Sequence, residues 1–373
     1  MAESTIDNQL YAARRPGTAD RLTSQNDTEW DAFVTRHPLG RVYHLSKWKQ
    51  VIEDAFPHIR GRFLSLRDSA TGQIQAGLPV YTVKSWLLGR RLVSIPFASS
   101  CDPLVSTAKE LALLLPLIQG AARDARVRTI EIRATRTVQH LAASPLAAGV
   151  IHKHHYLPLD RSPEELFKSL HNSSVRYMVR KAGRIGVAVE ERMDEEGIRI
   201  FHAILTETRR RHSLPPHPLA FFQAMKRRLG PDHVKVYLAM HEGEPVAGHL
   251  VLRFKDLWTS EYSGNTDSAV AGANQLLYWD IIQRAQSSGA QSFSFGRTSH
   301  DNHGLLAHKR RWATVEEDVT YFTNASGNGS ALSTAGVEAR RAALAYHLLK
   351  PLVARTPLPL YRLFGDFCYR HLG

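Results

Sequence analysis

An internal repeat constrains this chain more than any other feature. Gly72, Ala76, Gly77 and Val80 align with Gly243, Ala247, Gly248 and Val251 at one constant offset. Each set flanks a polar turn, "SATGQ" in the first half and "HEGE" in the second, of the kind that joins two antiparallel strands. Each half then runs helix, strand, arginine. "RTIEIR" ends at Arg133, "SFSFGR" ends at Arg297, and a further strand carries Tyr156 or Tyr321. The shared order predicts a duplication, and hence two α+β units, each a mixed, mostly antiparallel sheet with helices on its faces. With 373 residues the chain is long enough for two cores. The expected divisions are a flexible segment over 1–26, units over 27–160 and 161–323, a Gly/Ser/Asn/Ala-rich linker over 324–336, and a basic amphipathic helical tail over 337–373.

Hydrophobic periodicity fills in the elements. Short amphipathic helices are expected at "DTEWDAFV" and "SKWKQVIEDAF", with Trp30 and Trp48 facing inward. Strands follow at "RFLSL", "QIQAGLPVYTV" and "RLVSIPF", then a helix over 107–122, "RTIEIR", and a strand over 150–159. In the second half one helix is expected over 162–183, with others near 194–211 and 217–229. Strands at "VKVYLAM", "PVAGHLVLRF" and "LWTSEYS" precede a helix over 274–288, and "QSFSF", a polar loop and "VEEDVTYF" close the half.

Charge narrows the partners. Lys and Arg number 48 against 35 Asp and Glu, a net charge of +13, which favours nucleic acid, anionic lipid or a phosphate-bearing substrate. No zinc, RNA-recognition or helix-turn-helix signature is present, so sequence-specific DNA binding is not expected. Cys101 and Cys368 make no disulfide framework, which points to a reducing compartment. The N-terminal residues are polar, and no run approaches the roughly 18 apolar residues of a membrane span. A cytoplasmic protein is expected. The tail 337–373, with only Glu338 and Asp366 as acids, is a candidate contact with an anionic surface at the inner face of the plasma membrane.

Four stretches carry candidate chemistry. In "GNTDSAVAGANQLLYWDII" the small residues Gly272 and Ala273 precede a helix beginning near Asn274, whose free N–H groups and positive dipole end suit a phosphate. Arg176, Arg180 and Arg184 recur every four residues without interleaved acids. Gly296 follows a strand and lets the chain turn or approach a ligand. Arg297 then offers a guanidinium to a carboxylate or phosphate, and Lys309, past the polar loop, a donor to a developing oxyanion. Glu261 and Tyr262 lie on the strand before the proposed phosphate loop, where either would serve as the base for an amine, or Glu261 would pair with a nearby arginine. His152, His154, His155, His300, His303 and His308 match no zinc spacing, so no metal site is expected. Cys101, in "SSCDP", reads as a packed thiol.

Taken together, "GEPVAGHLVL", "SGNTDSAVAGANQLLYWDIIQRAQSSGAQSFSFGR" and "HKRRW", with "EWDAFVTRHPLGRVYHLSKWKQVIEDAF" and "GLPVYTVKSWLLGRRLVSIPF" in the first half, resemble the FemAB-like acyltransferases of the GNAT superfamily, including their exosortase-associated branch. The resemblance covers roughly residues 28–322. It implies tandem GNAT-like domains and amide-bond formation, in which an acyl group from acyl-CoA or aminoacyl-tRNA passes to an amine on a peptidoglycan or exopolysaccharide precursor. The matching residues are Asn274, Tyr278, Gly296, Arg297, Lys309 and Trp312, with Lys309 at the family's transition-state lysine. Three positions depart: Ser294 stands where the family has an acid, His308 where it has an aromatic, and Ala313 where it has glycine. The long coiled-coil arm of the peptide-bridge enzymes is absent, which tilts the implied donor towards acyl-CoA. The altered positions also leave open a non-catalytic protein that binds lipid-linked or phosphorylated saccharide precursors.

Overall fold

The computed structural model describes residues 19–21, 27–87, 89–324 and 356–371. The first half contributes strands β1 (Ala19–Arg21), β2 (Ile59–Arg67), β3 (Ile74–Ser85), β4 (Gly89–Val93), β5 (Thr129–Ala134) and β6 (Leu146–Pro158). The second contributes β7 (Ala188–Glu191), β8 (Val234–His241), β9 (Glu244–Phe254), β10 (Leu257–Asn265), β11 (Ser292–Ser299) and β12 (Val315–Asn324). Helices α1 (Asp27–Arg36), α2 (Ser46–Ala55), α3 (Ala108–Asp124) and α4 (Val138–Ala142) belong to the first half. The second holds α5 (Pro163–Ser169), α6 (Tyr177–Arg184), α7 (Glu195–Arg211), α8 (Leu219–Leu229), α9 (Ala273–Ser287) and α10 (His303–Arg310), and α11 (Leu358–Tyr369) ends the chain.

All twelve strands among the described residues join one sheet, in the order β1-β2-β3-β4-β5-β12-β6-β11-β10-β9-β8-β7. Read from either end, the pairings run antiparallel three times, parallel once (β4 with β5, β10 with β11), then antiparallel to the central β12–β6 pair. This pseudo-symmetry places the repeated glycines on equivalent strands, with Gly77 on β3 and Gly248 on β9. Both turn glycines, Gly72 and Gly243, adopt positive φ. The halves exchange their last strands: β12 pairs with β5, and β6 pairs with β11. The sheet is therefore continuous across the middle of the chain.

Strands β8 and β9 read as almost unbroken apolar runs because both of their faces are covered. Val236 and Leu238 join the core shared with the first half, whereas Tyr237 and Ala239 face the core built on α6 and α9. Phe322 of β12 lies in the first-half core, which the strand exchange requires. Helices α2 and α8 bring the two halves together, with the Phe221 ring in contact with both Trp48 and Phe56.

Several expectations are corrected. The single helix over 162–183 is two helices, because Leu170 and His171 are extended and each piece has its own cap. Ser162 caps α5 in a capping box, and His171 caps a π-turn over Asn172–Arg176 that leads into α6. Arg176 therefore stands outside the α-helical register of Arg180 and Arg184. The strand expected through Phe97 ends at Val93, ahead of Pro96, which has no N–H for a ladder. The polar loop after β11 contains α10, started by Asn302, whose side chain accepts from the Leu305 N–H at 3.1 Å. Within the expected flexible 1–26 segment, Ala19–Arg21 pair with β2 as an edge strand. The other expectations for 1–18, 22–26 and 325–355, including most of the linker and the first part of the tail, lie outside the described residues.

Candidate functional site

Strands β10 and β11 stay in parallel register only over Leu257–Thr259 and Ser292–Ser294. Beyond that, β10 continues along β9 to Asn265, while β11 bulges at Phe295 and Gly296 and continues along β6. The two strands part, and a wedge opens between them. The bulge requires Gly296, whose φ is +70°. It is held by Ser294, whose Oγ accepts from the Gly296 N–H at 3.0 Å and hydrogen-bonds His154 Nε2 at 2.7 Å. Burial, followed by the charge of Lys309, keeps the His154 imidazole neutral.

Lys309 reaches this bulge from the last turn of α10. It is 5% exposed, and its Nζ donates to the carbonyls of Gly296 at 2.8 Å and Arg297 at 3.3 Å. A lysine ammonium has three protons, so one donor remains. Burial brings its pKa down to about 7, with Glu261 opposing that fall and Arg297 reinforcing it. Glu261, partly buried on β10, accepts from Tyr43 Oη at 2.7 Å and from Ser99 Oγ at 3.3 Å. Burial raises its pKa, against the pull of the Tyr43 hydrogen bond and the Arg297 charge. Arg297 is exposed, its guanidinium 5.7 Å from the Tyr321 ring, and Arg133 meets the same ring at 4.8 Å. The wedge therefore gathers a lysine, a carboxylate, an arginine and a neutral histidine, and Tyr43 and Ser99 from the first half complete it. This arrangement can bind an acyl carbonyl beside a cationic donor and hold an amine beside a carboxylate.

The structure separates other sequence-selected residues from this cluster. The Tyr262 hydroxyl donates to the Phe97 carbonyl at 2.9 Å, and its ring sits among His217, Phe221 and Phe222. Tyr278 is buried behind β11, its ring 5.1 Å from Phe295 and 5.3 Å from Trp312. Gly272, at φ +94°, caps the N-terminus of α9, but the backbone it approaches is protein: a Cβ there would lie 2.2 Å from the Met178 carbonyl oxygen. Ala273 is fully buried, and Asn274 Oδ1 is 2.9 Å from His249 Nε2. Arg176 is partly buried, with an Nε that has no partner among the described residues, and Arg180 lies over the Phe167 ring at 5.3 Å. Ala313 takes a left-handed φ of +55°, which explains why glycine suits that position. Cys101 is buried, and burial pushes its thiol pKa up. Among the described residues, no cluster of three or more His, Cys, Asp or Glu is disposed to hold a metal ion. A separate pocket of about 270 Å³, lined by Leu115, Ile118, Arg123 and Asn324, contains none of these side chains.

Sequence reasoning missed Tyr43, Ser99 and the structural use of Ser294. The signal available was the duplication itself, since paired halves place first-half residues beside a second-half strand.

The parallel pair that splays apart is followed by a helix and a buried lysine, and the same strand order is repeated in the two halves. Residues 170–310 match the model of the Acetyltransferase (GNAT) domain family, so the second half carries such a domain and the chain is an acyltransferase. Solved structures with the same fold include FemX, 17% identical with a TM-score of 0.69 over 83% of this chain and 97% of that one. The C-terminal domain of a protein assigned as a lysylphosphatidylglycerol synthetase in Agrobacterium fabrum is 15% identical, with a TM-score of 0.55 over 85% and 96%. A tandem GNAT protein from the clavulanic acid biosynthesis pathway is 12% identical, with a TM-score of 0.54 over 84% and 99%. No curated protein matches this sequence significantly.

Proposed function

We propose that this chain is an N-acyltransferase that passes an acyl or aminoacyl group to an amine on a cell-envelope precursor, of the peptidoglycan or exopolysaccharide kind. The observation that carries the reading is Lys309, buried at the wedge and fixed by two backbone carbonyls with one proton left over. That proton is placed to meet the oxyanion of the tetrahedral intermediate. Arg297 fixes the substrate, and Glu261, oriented by Tyr43 and Ser99, positions the attacking amine and takes up its proton. The tetrahedral intermediate then collapses with cleavage of the thioester C–S bond, and the proton leaves with the donor's thiol. Reactions of this type depend mostly on positioning, so a weak base suffices. The donor is acyl-CoA in preference to aminoacyl-tRNA. Its phosphates lie towards the cations Arg176 and Arg180. The halves 27–160 and 161–323 act as twin units around the wedge, with the second supplying the lysine. The protein works at the inner face of the plasma membrane, where such precursors are assembled. The relatives named for FemX and lysylphosphatidylglycerol synthetase are consistent with an envelope acceptor.

The experiment is a turnover screen of acyl-CoA thioesters and charged tRNA against amine-bearing envelope precursors. Lys309→Ala is expected to lower kcat by about a hundred- to a thousandfold with the fold intact. Full activity in that variant would refute the assignment. Saccharide binding without turnover in the wild type would favour the non-catalytic reading.

A further inference from the structure

Helix α11 is fastened to the body along one stripe. Tyr361 Oη donates to the Leu214 carbonyl at 2.5 Å, and the Tyr369 ring lies 5.2 Å from Phe97. A Cβ at Gly365 would come within 2.4 Å of the Pro216 carbonyl oxygen. The helix nevertheless carries a second apolar stripe, facing outward: Leu360, Leu363 and Phe367 are 56%, 63% and 47% exposed. The β3–β4 turn adds Trp86 at 80% and Leu87 at 57%. The Trp86 ring lies 6.4 Å from Phe367, so two segments distant in sequence form one apolar ridge.

Cations ring that ridge. Lys84 and Arg90 are exposed at the turn, Arg91 reaches the His371 carbonyl at 3.4 Å, and Arg362 and Arg370 are exposed on the helix side. Asp366 is the one acid within α11. Exposed Trp, Leu and Phe bordered by arginine make up the chemistry of a membrane-interface segment. A second copy is a poor occupant, because a two-fold contact would set this cationic face against itself.

We propose that the ridge formed by Trp86, Leu87, Leu360, Leu363 and Phe367 docks the protein onto an anionic lipid bilayer. The buried face of the helix that carries the ridge packs against the segment leading to the wedge. Phe97, in ring contact with Tyr369, stands two residues before Ser99, which hydrogen-bonds Glu261. The proposal specifies the surface behind the membrane location given above, and it is decided without any turnover measurement.

The test is co-sedimentation of the full chain with phosphatidylcholine vesicles and with vesicles also containing phosphatidylglycerol. Binding to the anionic vesicles, weakened by salt, is expected. Trp86→Ser alone and Leu363→Ser with Phe367→Ser should each weaken it by about tenfold or more, with the circular dichroism spectrum unchanged. Arg362→Glu with Arg370→Glu should remove the preference for anionic lipid. No vesicle binding, or binding indifferent to these substitutions, would overturn the proposal. So would a concentration-dependent dimer that the same substitutions dissolve. Absent vesicle binding with intact acyl transfer defeats the docking surface alone. Absent transfer with intact vesicle binding defeats only the catalytic reading.

Discussion

Lys309 shows how one buried side chain ties stability to chemistry. An unfolded lysine titrates near 10.4, and burial lowers Lys309 to about 7. The charged form is thus disfavoured in the fold, so the cost is present in full below pH 7 and fades as pH rises towards the unfolded value. Between those limits the unfolded chain holds more protons than the folded one, and the wild type gains stability with pH. Relative to Lys309→Met, it should gain about 1.4 kcal/mol per pH unit across that window. Urea denaturation of both proteins at pH 7 and 9.5 measures this, and parallel curves would mean that the fold does not disfavour the charged form of Lys309. The same titration bears on rate. If the charged lysine steadies the oxyanion, its contribution declines as pH rises through about 7.

Elements were legible where periodicity was strong and local. Helices α7, α8 and α9 and strands β8, β9 and β10 fall where their apolar patterns place them. Helix α10 was hidden because its eight residues begin at a histidine and a glycine and bury only Leu306 and Lys309, too little to show an apolar stripe. The wedge was half legible: Gly296, Arg297, Lys309 and Glu261 stand out in sequence, but Tyr43 comes from a 3-10 turn and Ser99 from a loop of the other half. No local pattern encodes that pairing. Gly272 illustrates a residue type read correctly for small size but with a different neighbour, since its closeness is to α6. Gly272→Ala combines a clash at 2.2 Å with a left-handed φ. It is expected to destabilise the protein by more than about 2 kcal/mol by prising α6 from α9. A denaturation midpoint unchanged from wild type would show that this contact tolerates a methyl group.

At the scale of the molecule, the duplication was visible in sequence and the exchange of β6 and β12 was not, because strand partners far apart in the chain leave no local trace. The exchange makes the halves interdependent: each sheet is completed by a strand of the other. Equilibrium unfolding should accordingly be a single transition, coincident when followed by tryptophan fluorescence and by far-ultraviolet circular dichroism. Two separated transitions would mean that the halves are independent despite the shared sheet. The exchange also governs how this protein comes off the ribosome. The edge left by β5 waits uncovered until β12 has been translated and has cleared the exit tunnel, a delay of some ten to forty seconds at ordinary elongation rates. Throughout that interval the nascent first half is a client for chaperones, guarded only by whatever binds an open strand.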